Sequence, residues 1–132
     1  MKFSYQHFRD AYYPIIPVTI IAPSSAKKVT TSAIIDSGAA VSIFHGSLAM
    51  PLGITVESGE KRIFQGASAK LTGYVHKVRM AIAGKEFKCD VVFSDELSTS
   101  FNLLGRKSVF EKFKVVFNEA EKSVELMPSL NR

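Results

Sequence analysis

A carboxylate, a hydroxyl and a glycine stand in a row at Asp36-Ser37-Gly38, between the apolar runs 33–35 and 39–41. Apolar residues rarely flank a surface turn, so the sequence predicts that Asp36 follows the end of a buried strand. An ionised carboxylate is costly in a low-dielectric environment unless it is paired. Either a partner compensates the charge of Asp36, or a shifted pKa serves acid–base chemistry.

Other interpretations of the same run are weaker. Asp36 could cap a turn or helix, with Ser37-Gly38 as ordinary turn residues, but the apolar flanks and a second glycine motif favour a catalytic carboxylate. A nucleophilic Ser37 would need a histidine base and an oxyanion hole, and Gly-x-Ser-x-Gly is absent from the sequence. A phosphorylation-dependent degradation signal must be exposed and flexible, whereas this run is flanked by Ile35 and Val41.

The remaining reactive side chains indicate no metal or cofactor. Cys89 is the only cysteine, which excludes an intrachain disulfide and agrees with a reducing compartment. Its position in the predicted strand 87–93 favours a small core residue over a nucleophile. His7, His45 and His76 lack metal-ligand spacing. We therefore expect neither a metal nor a cofactor.

Length and composition predict one globular domain, residues 1–132, because the chain of 132 residues is 46% hydrophobic and 22% charged. It has no apolar run near the roughly 20 residues that span a bilayer, and its N-terminus lacks the apolar core of a secretory signal. These features predict a cytoplasmic protein with no membrane partner.

The net charge of +5 invites a nucleic-acid interpretation. The basic residues are scattered, with only doublets such as Lys27-Lys28, whereas a phosphate-binding surface usually needs them clustered. We therefore predict no nucleic-acid partner. A small basic β-barrel that binds nucleic acid stays a third hypothesis, which a steep salt dependence of binding would support.

The elements that must position Asp36 are mostly strands. Strands are predicted at 15–22, 29–36, 61–64, 74–82, 87–93, 101–105, 114–117 and 122–126, from apolar runs, period-two alternation and turn residues. A hairpin turn is predicted at Gly84-Lys85. The spacing of Val109, Phe110 and Phe113 predicts one amphipathic helix over 106–113. Residues 44–50 leave helix and loop open, and the first ten residues match no element.

The order of these features resembles the retropepsin-like aspartic proteases over roughly residues 12 to 127. Two motifs carry the resemblance, Asp36-Ser37-Gly38-Ala39 and Leu103-Leu104-Gly105-Arg106. The family implies an all-β fold, a closed retropepsin-like acid-protease barrel with a flap hairpin and one short C-terminal helix.

The resemblance also implies a homodimeric aspartic endopeptidase that cleaves extended polypeptide with a water activated between Asp36 of each subunit. Two such carboxylates share one proton because like charges a few Å apart do not both ionise cheaply. Asp10, Asp90 and Asp95 are not followed by Ser/Thr-Gly. A site with two aspartates therefore needs two copies of the chain.

The other site residues carry over by position. Ser37 matches the hydroxyl that hydrogen-bonds across the dimer, and Gly38 and Ala39 complete the active-site loop. Val41 and Leu103 would line, with Ala39, apolar pockets beside the cut bond. The flap tip is expected at Gly66, Ala67 and Ser68, where small residues allow movement and main-chain contact with substrate.

The chain departs from the family after the first motif. Retroviral members often carry acidic residues where this sequence has Ala40 and Val41, and one of those acids pairs with the arginine that matches Arg106. Arg106 therefore lacks that partner here. The departure leaves open an alternative function, a catalytically weak or inactive dimeric module that binds a peptide or partner on the retropepsin scaffold.

Overall fold

The computed structural model describes residues 1–65 and 70–129, and strands dominate it. Three 3₁₀ turns, Gly46–Leu48, Met50–Leu52 and Val56–Ser58, and a π-helix at Arg106–Phe110 are its helical segments. The predicted all-β class is confirmed. The strands are β1 (Lys2–Ser4), β2 (Gln6–Phe8), β3 (Ala11–Tyr13), β4 (Ile15–Ile21), β5 (Lys28–Ile35), β6 (Ile43–His45), β7 (Glu60–Gln65), β8 (Lys70–Ile82), β9 (Lys85–Ser94), β10 (Asn102–Leu104), β11 (Phe113–Asn118) and β12 (Ser123–Pro128).

The main sheet closes on itself. Its strand order is β4-β5-β10-β6-β9-β8-β7, and β4 also pairs with β8, with Ile20 opposite Met80. Six strands therefore form a ring, and β7 extends from β8 outside it. Closure leaves these six strands with few free edges, and it encloses a core between them.

The core follows from alternation along β4 and β8. Ile16, Val18 and Ile20 on β4 and Met80 on β8 are at most 1% exposed. Pro17, between two of them, is exposed and lies on the part of β4 that pairs only with β5. A proline is tolerated there because its missing N–H would have faced no partner strand.

Two hairpins extend from β8. The β8–β9 turn lies at Ala83-Gly84, one residue before the predicted Gly84-Lys85, and both of its residues have positive φ angles, 51° and 79°. Two consecutive left-handed residues match the twist of a two-residue hairpin, which explains this position. Strands β7 and β8 form the predicted flap hairpin. The predicted tip, Gly66, Ala67 and Ser68, lies outside the described residues.

The late helix is shorter than predicted. Instead of 106–113, a π-helix covers Arg106–Phe110, and the N–H of Glu111 donates to the carbonyl of Arg106, five residues back (3.1 Å). Phe113 already belongs to β11, where it is buried and packs edge-to-face on Phe87 (centroids 5.9 Å apart). Burial of this ring in the β-core outweighs the helical pattern.

The N-terminal residues form strands that the sequence did not predict. β1 pairs with β12, which pairs with β11, and β2 and β3 form a separate hairpin. Phe8 of that hairpin packs edge-to-face on Phe101 (4.6 Å between centroids), just before β10. Within the described ranges, no helix is long and apolar enough to cross a membrane. Cytoplasmic location stays a prediction.

Candidate active site

Asp36 stands where three strands converge. β10 runs parallel to β5, with Leu104 opposite Ile35, and antiparallel to β6, with Leu103 opposite Ile43. The N–H of Asp36, directly after β5, donates to the carbonyl of Leu104 (2.9 Å). The backbone of Asp36 is therefore fixed by the sheet, and its side chain begins at the carboxyl ends of β5 and β10.

Two turns meet in backbone contact beside Asp36, and we call the contact of residues 39–41 with residues 105–107 the clasp. The N–H of Arg106 donates to the carbonyl of Ala39 (2.9 Å), and that of Lys107 to Ala40 (3.0 Å). A Cβ on Gly105 would overlap the carbonyl of Val41 and lie 2.8 Å from that of Ala39. Only glycine permits this approach.

Two buried hydroxyls fix the clasp from behind. The N–H of Gly105 donates to Oγ of Ser42 (2.9 Å), and this hydroxyl is hydrogen-bonded to that of Ser108 on the π-helix. Both serines are at most 1% exposed. Sequence reasoning gave neither a role. The available signal was Ser42, a serine in the apolar run 39–44, where a buried hydroxyl needs a partner; Ser108 follows two basic residues and gives no such signal.

Arg106 has a different partner from the one that the family pattern supplies. Its Nη1 donates to the backbone carbonyl of Ser37 (2.7 Å). A hydrogen bond from a charged donor is stronger than one between neutral groups. Arg106 therefore holds the turn at Asp36-Ser37 through its backbone, although Ala40 and Val41 offer no carboxylate.

The carboxylate of Asp36 opens onto a groove. Its Oδ1 accepts a hydrogen bond from the N–H of Gly38 (2.9 Å). The sequence predicted a carboxylate in a low-dielectric environment, whereas Asp36 is half-buried in the structure. The groove, of about 440 Å³, is also lined by Ala39, Val41 and Leu103. The structure thus brings five of the predicted site residues together. Ser37 is exposed and does not line the groove.

The flap side contributes to the same groove. Phe64 and Leu71, on the two flap strands, line it, as does Glu96 in the loop after β9. The carboxylate of Glu96 accepts a hydrogen bond from the N–H of Thr72 on β8 (2.8 Å), so this loop is tied to one strand of the flap hairpin. Sequence reasoning missed Glu96 because the partners come from different hairpins. Across the described part of the chain, no three His, Cys, Asp or Glu side chains are grouped to hold a metal.

Comparison with known proteins agrees with this geometry. The sequence model of the aspartyl protease family matches residues 17–107, which include Asp36 and the whole clasp. The chain belongs to the aspartyl protease family. Its fold is similar to that of EIAV protease, solved in complex with the inhibitor HBY-793, with a TM-score of 0.58 and 16% identity over 80% of this chain and 93% of that one. No curated protein sequence matches it. The predicted resemblance to retropepsins is confirmed.

Cys89 does not have the properties of a nucleophile. It is half-buried on β9, and burial raises the pKa of its thiol from 9.0 to about 12, with a further contribution from the charge of Asp90 and an opposing one from Lys112. The thiolate is the reactive species, so the folded protein holds almost none of it at neutral pH.

Because of the clasp, we expect two glycine variants to differ strongly in their free energy of unfolding. Gly105→Ala should lower the free energy of unfolding by about 1–3 kcal/mol, because backbone atoms must move to admit the new methyl group. Gly38→Ala is the control, since its Cβ would meet only the side-chain Oδ1 of Asp36 at 3.2 Å. Urea unfolding at one fixed protein concentration measures the free energy of unfolding of each variant. Equal losses of stability in Gly105→Ala and Gly38→Ala would contradict the role of the clasp.

The burial of Cys89 predicts that its thiol is labelled slowly and that the folded protein loses stability at high pH. At pH 8 an aromatic disulfide reagent should label the native protein far more slowly than the protein in urea. Because the folded pKa is raised, the thiol's contribution to stability is complete below pH 9 and is lost as the pH rises towards about 12. Cys89→Ala should lose less stability over that interval than wild type. Equally fast labelling of native and unfolded protein would refute the burial argument.

Proposed function

We propose that this aspartyl protease is a homodimeric endopeptidase that cleaves extended polypeptide with a water held between Asp36 of each subunit. The observation that carries the proposal is the position of Asp36, fixed by the sheet and opening onto a groove between the clasp and the flap hairpin. One Asp-Ser-Gly motif occurs in the sequence. The second carboxylate therefore comes from a second copy on a twofold axis.

Hydrolysis then needs only the paired carboxylates. One Asp36 carboxylate takes a proton from the water, and the water oxygen attacks the scissile carbonyl carbon. The other Asp36, which is protonated, gives its proton to the carbonyl oxygen. The tetrahedral intermediate collapses when the first carboxyl group gives the proton it took from water to the amide nitrogen and the C–N bond breaks, while the other carboxylate takes a proton from a hydroxyl of the intermediate. The N–H of Gly38 orients the carboxylate by donating to Oδ1 of Asp36.

Substrate binding uses the flap and the apolar side chains of the groove. An extended peptide adds as a strand beneath the β7–β8 hairpin, and the predicted tip at Gly66, Ala67 and Ser68 contacts its main chain. Val41 and Leu103 lie beside Asp36 in the groove lining. The peptide bonds that we expect to be cut are flanked by apolar residues.

The proposal predicts that Asp36→Asn abolishes peptide cleavage without unfolding the chain. A denatured peptide mixture is incubated with purified protein from pH 4 to 7, and the cuts are read by mass spectrometry. Loss of the acid–base group should reduce the rate by about 10²–10⁴-fold. The wild-type rate should follow a bell-shaped pH profile, because the carboxylate pair titrates in two coupled steps.

The matched control is Asp10→Asn, an exposed aspartate in the β2–β3 turn that should leave the rate unchanged. Cutting by Asp36→Asn at close to the wild-type rate would refute the assignment of Asp36. Absence of cuts at every pH, from a folded and dimeric wild-type protein, would instead support the alternative of a peptide-binding module on this scaffold.

A further inference from the structure

The fold gathers basic side chains that are dispersed in the sequence. A groove of about 510 Å³ lies between the β8–β9 hairpin and the segment that follows the clasp. Its lining also includes Asp90 and Glu111, so basic residues outnumber acidic ones. The basic side chains of this basic groove are Lys77, Arg79, Lys88, Lys107 and Lys112.

Two of these cations face each other in the sheet. Arg79 on β8 is directly opposite Lys88 on β9, and like charges at opposed positions of an antiparallel pair are destabilising. The guanidinium of Arg79 donates to the carbonyls of Ala22 (2.9 Å) and Ser25 (2.7 Å) and contacts Glu86 (3.4 Å). These contacts hold Arg79 in place, and they leave the charge of Lys88 uncompensated.

The acidic residues do not neutralise the rest of the basic groove. The carboxylate of Asp90 is shared by Lys77 (3.3 Å) and Lys107 (3.9 Å). Over residues 1–65 and 70–129, neither Lys88 nor Lys112 forms an ion pair. The exposed Lys88 on β9 and the half-buried Lys112 after the π-helix both line the groove, one on each wall, and are available to an anionic ligand.

We propose that the basic groove binds an acidic segment of a polypeptide, independently of whether Asp36 cleaves it. Its volume suits a few side chains, and the exposed Pro23 gives it apolar surface for their stems. Asp90 and Glu111 interrupt the cations, which suits carboxylates spaced along a peptide better than a continuous phosphate backbone. The backbone of Lys107 joins the groove to the clasp.

Fluorescence anisotropy with a labelled hexaglutamate peptide tests this proposal, using the full chain with Asp36→Asn to prevent cleavage. We expect saturable binding that weakens as salt is raised. Lys88→Glu should weaken it about tenfold, because the substitution reverses a charge that faces the ligand. Lys112→Glu, from the opposite wall, should have a similar effect and decides the outcome if Lys88→Glu does not fold.

The matched control is Lys114→Glu, another exposed strand lysine with the same charge change but outside the basic groove. It should shift the affinity less than about twofold. If Lys88→Glu and Lys114→Glu weakened the affinity equally, the net charge of the protein alone would explain the binding, and the proposal would be overturned. Absence of binding would also overturn it, as would tighter binding of a hexathymidine oligonucleotide, which would assign the basic groove to nucleic acid.

Discussion

The backbone contact at Gly105 is the constraint on which the rest of the site depends. Without a side chain at this position, the turn that follows β10 approaches the turn that follows β5, and the carbonyls of Ala39 and Ala40 accept hydrogen bonds across the contact. Buried hydroxyls and Arg106 then hold both turns. Because Asp36 begins one of these turns, the position of its carboxylate is fixed by the backbone and needs no side-chain partner.

The same arrangement agrees with the proposal that one chain supplies half of a site. The closed ring of strands ends in a groove that has a flap hairpin on one side and a single Asp-Ser-Gly turn on the other. A twofold axis beside Asp36 would supply the second carboxylate and flap, together with a substrate channel of matching symmetry. Arg106 has no acidic partner of the kind found in retroviral members, but the arrangement does not require one, because Arg106 donates to the carbonyl of Ser37 instead.

Patterns among neighbouring residues predicted much of the fold. Features that depend on contacts between distant parts of the chain could not be predicted. Alternation along β4 and β8 and the apolar run before Asp36 are properties of neighbouring residues, so the strands and the turn at Asp36 could be predicted. Ser42 and Ser108 are joined only by the fold, and β1 has three residues, too few for a periodic signal. A turn at Gly84-Lys85 would have set Arg79 opposite Asp90. The actual turn sets it opposite Lys88 and creates the like-charge pair of the basic groove.

Subunit mixing tests most directly the central claim that two copies of Asp36 form one site. Wild-type protein and Asp36→Asn are unfolded, mixed at a constant total concentration and refolded together, and peptide cleavage is measured against the fraction of wild type. If both carboxylates are required, activity follows the square of that fraction, so an equal mixture keeps about one quarter of the wild-type activity. A linear decrease, with about one half retained, would mean that each chain works alone and would contradict the account.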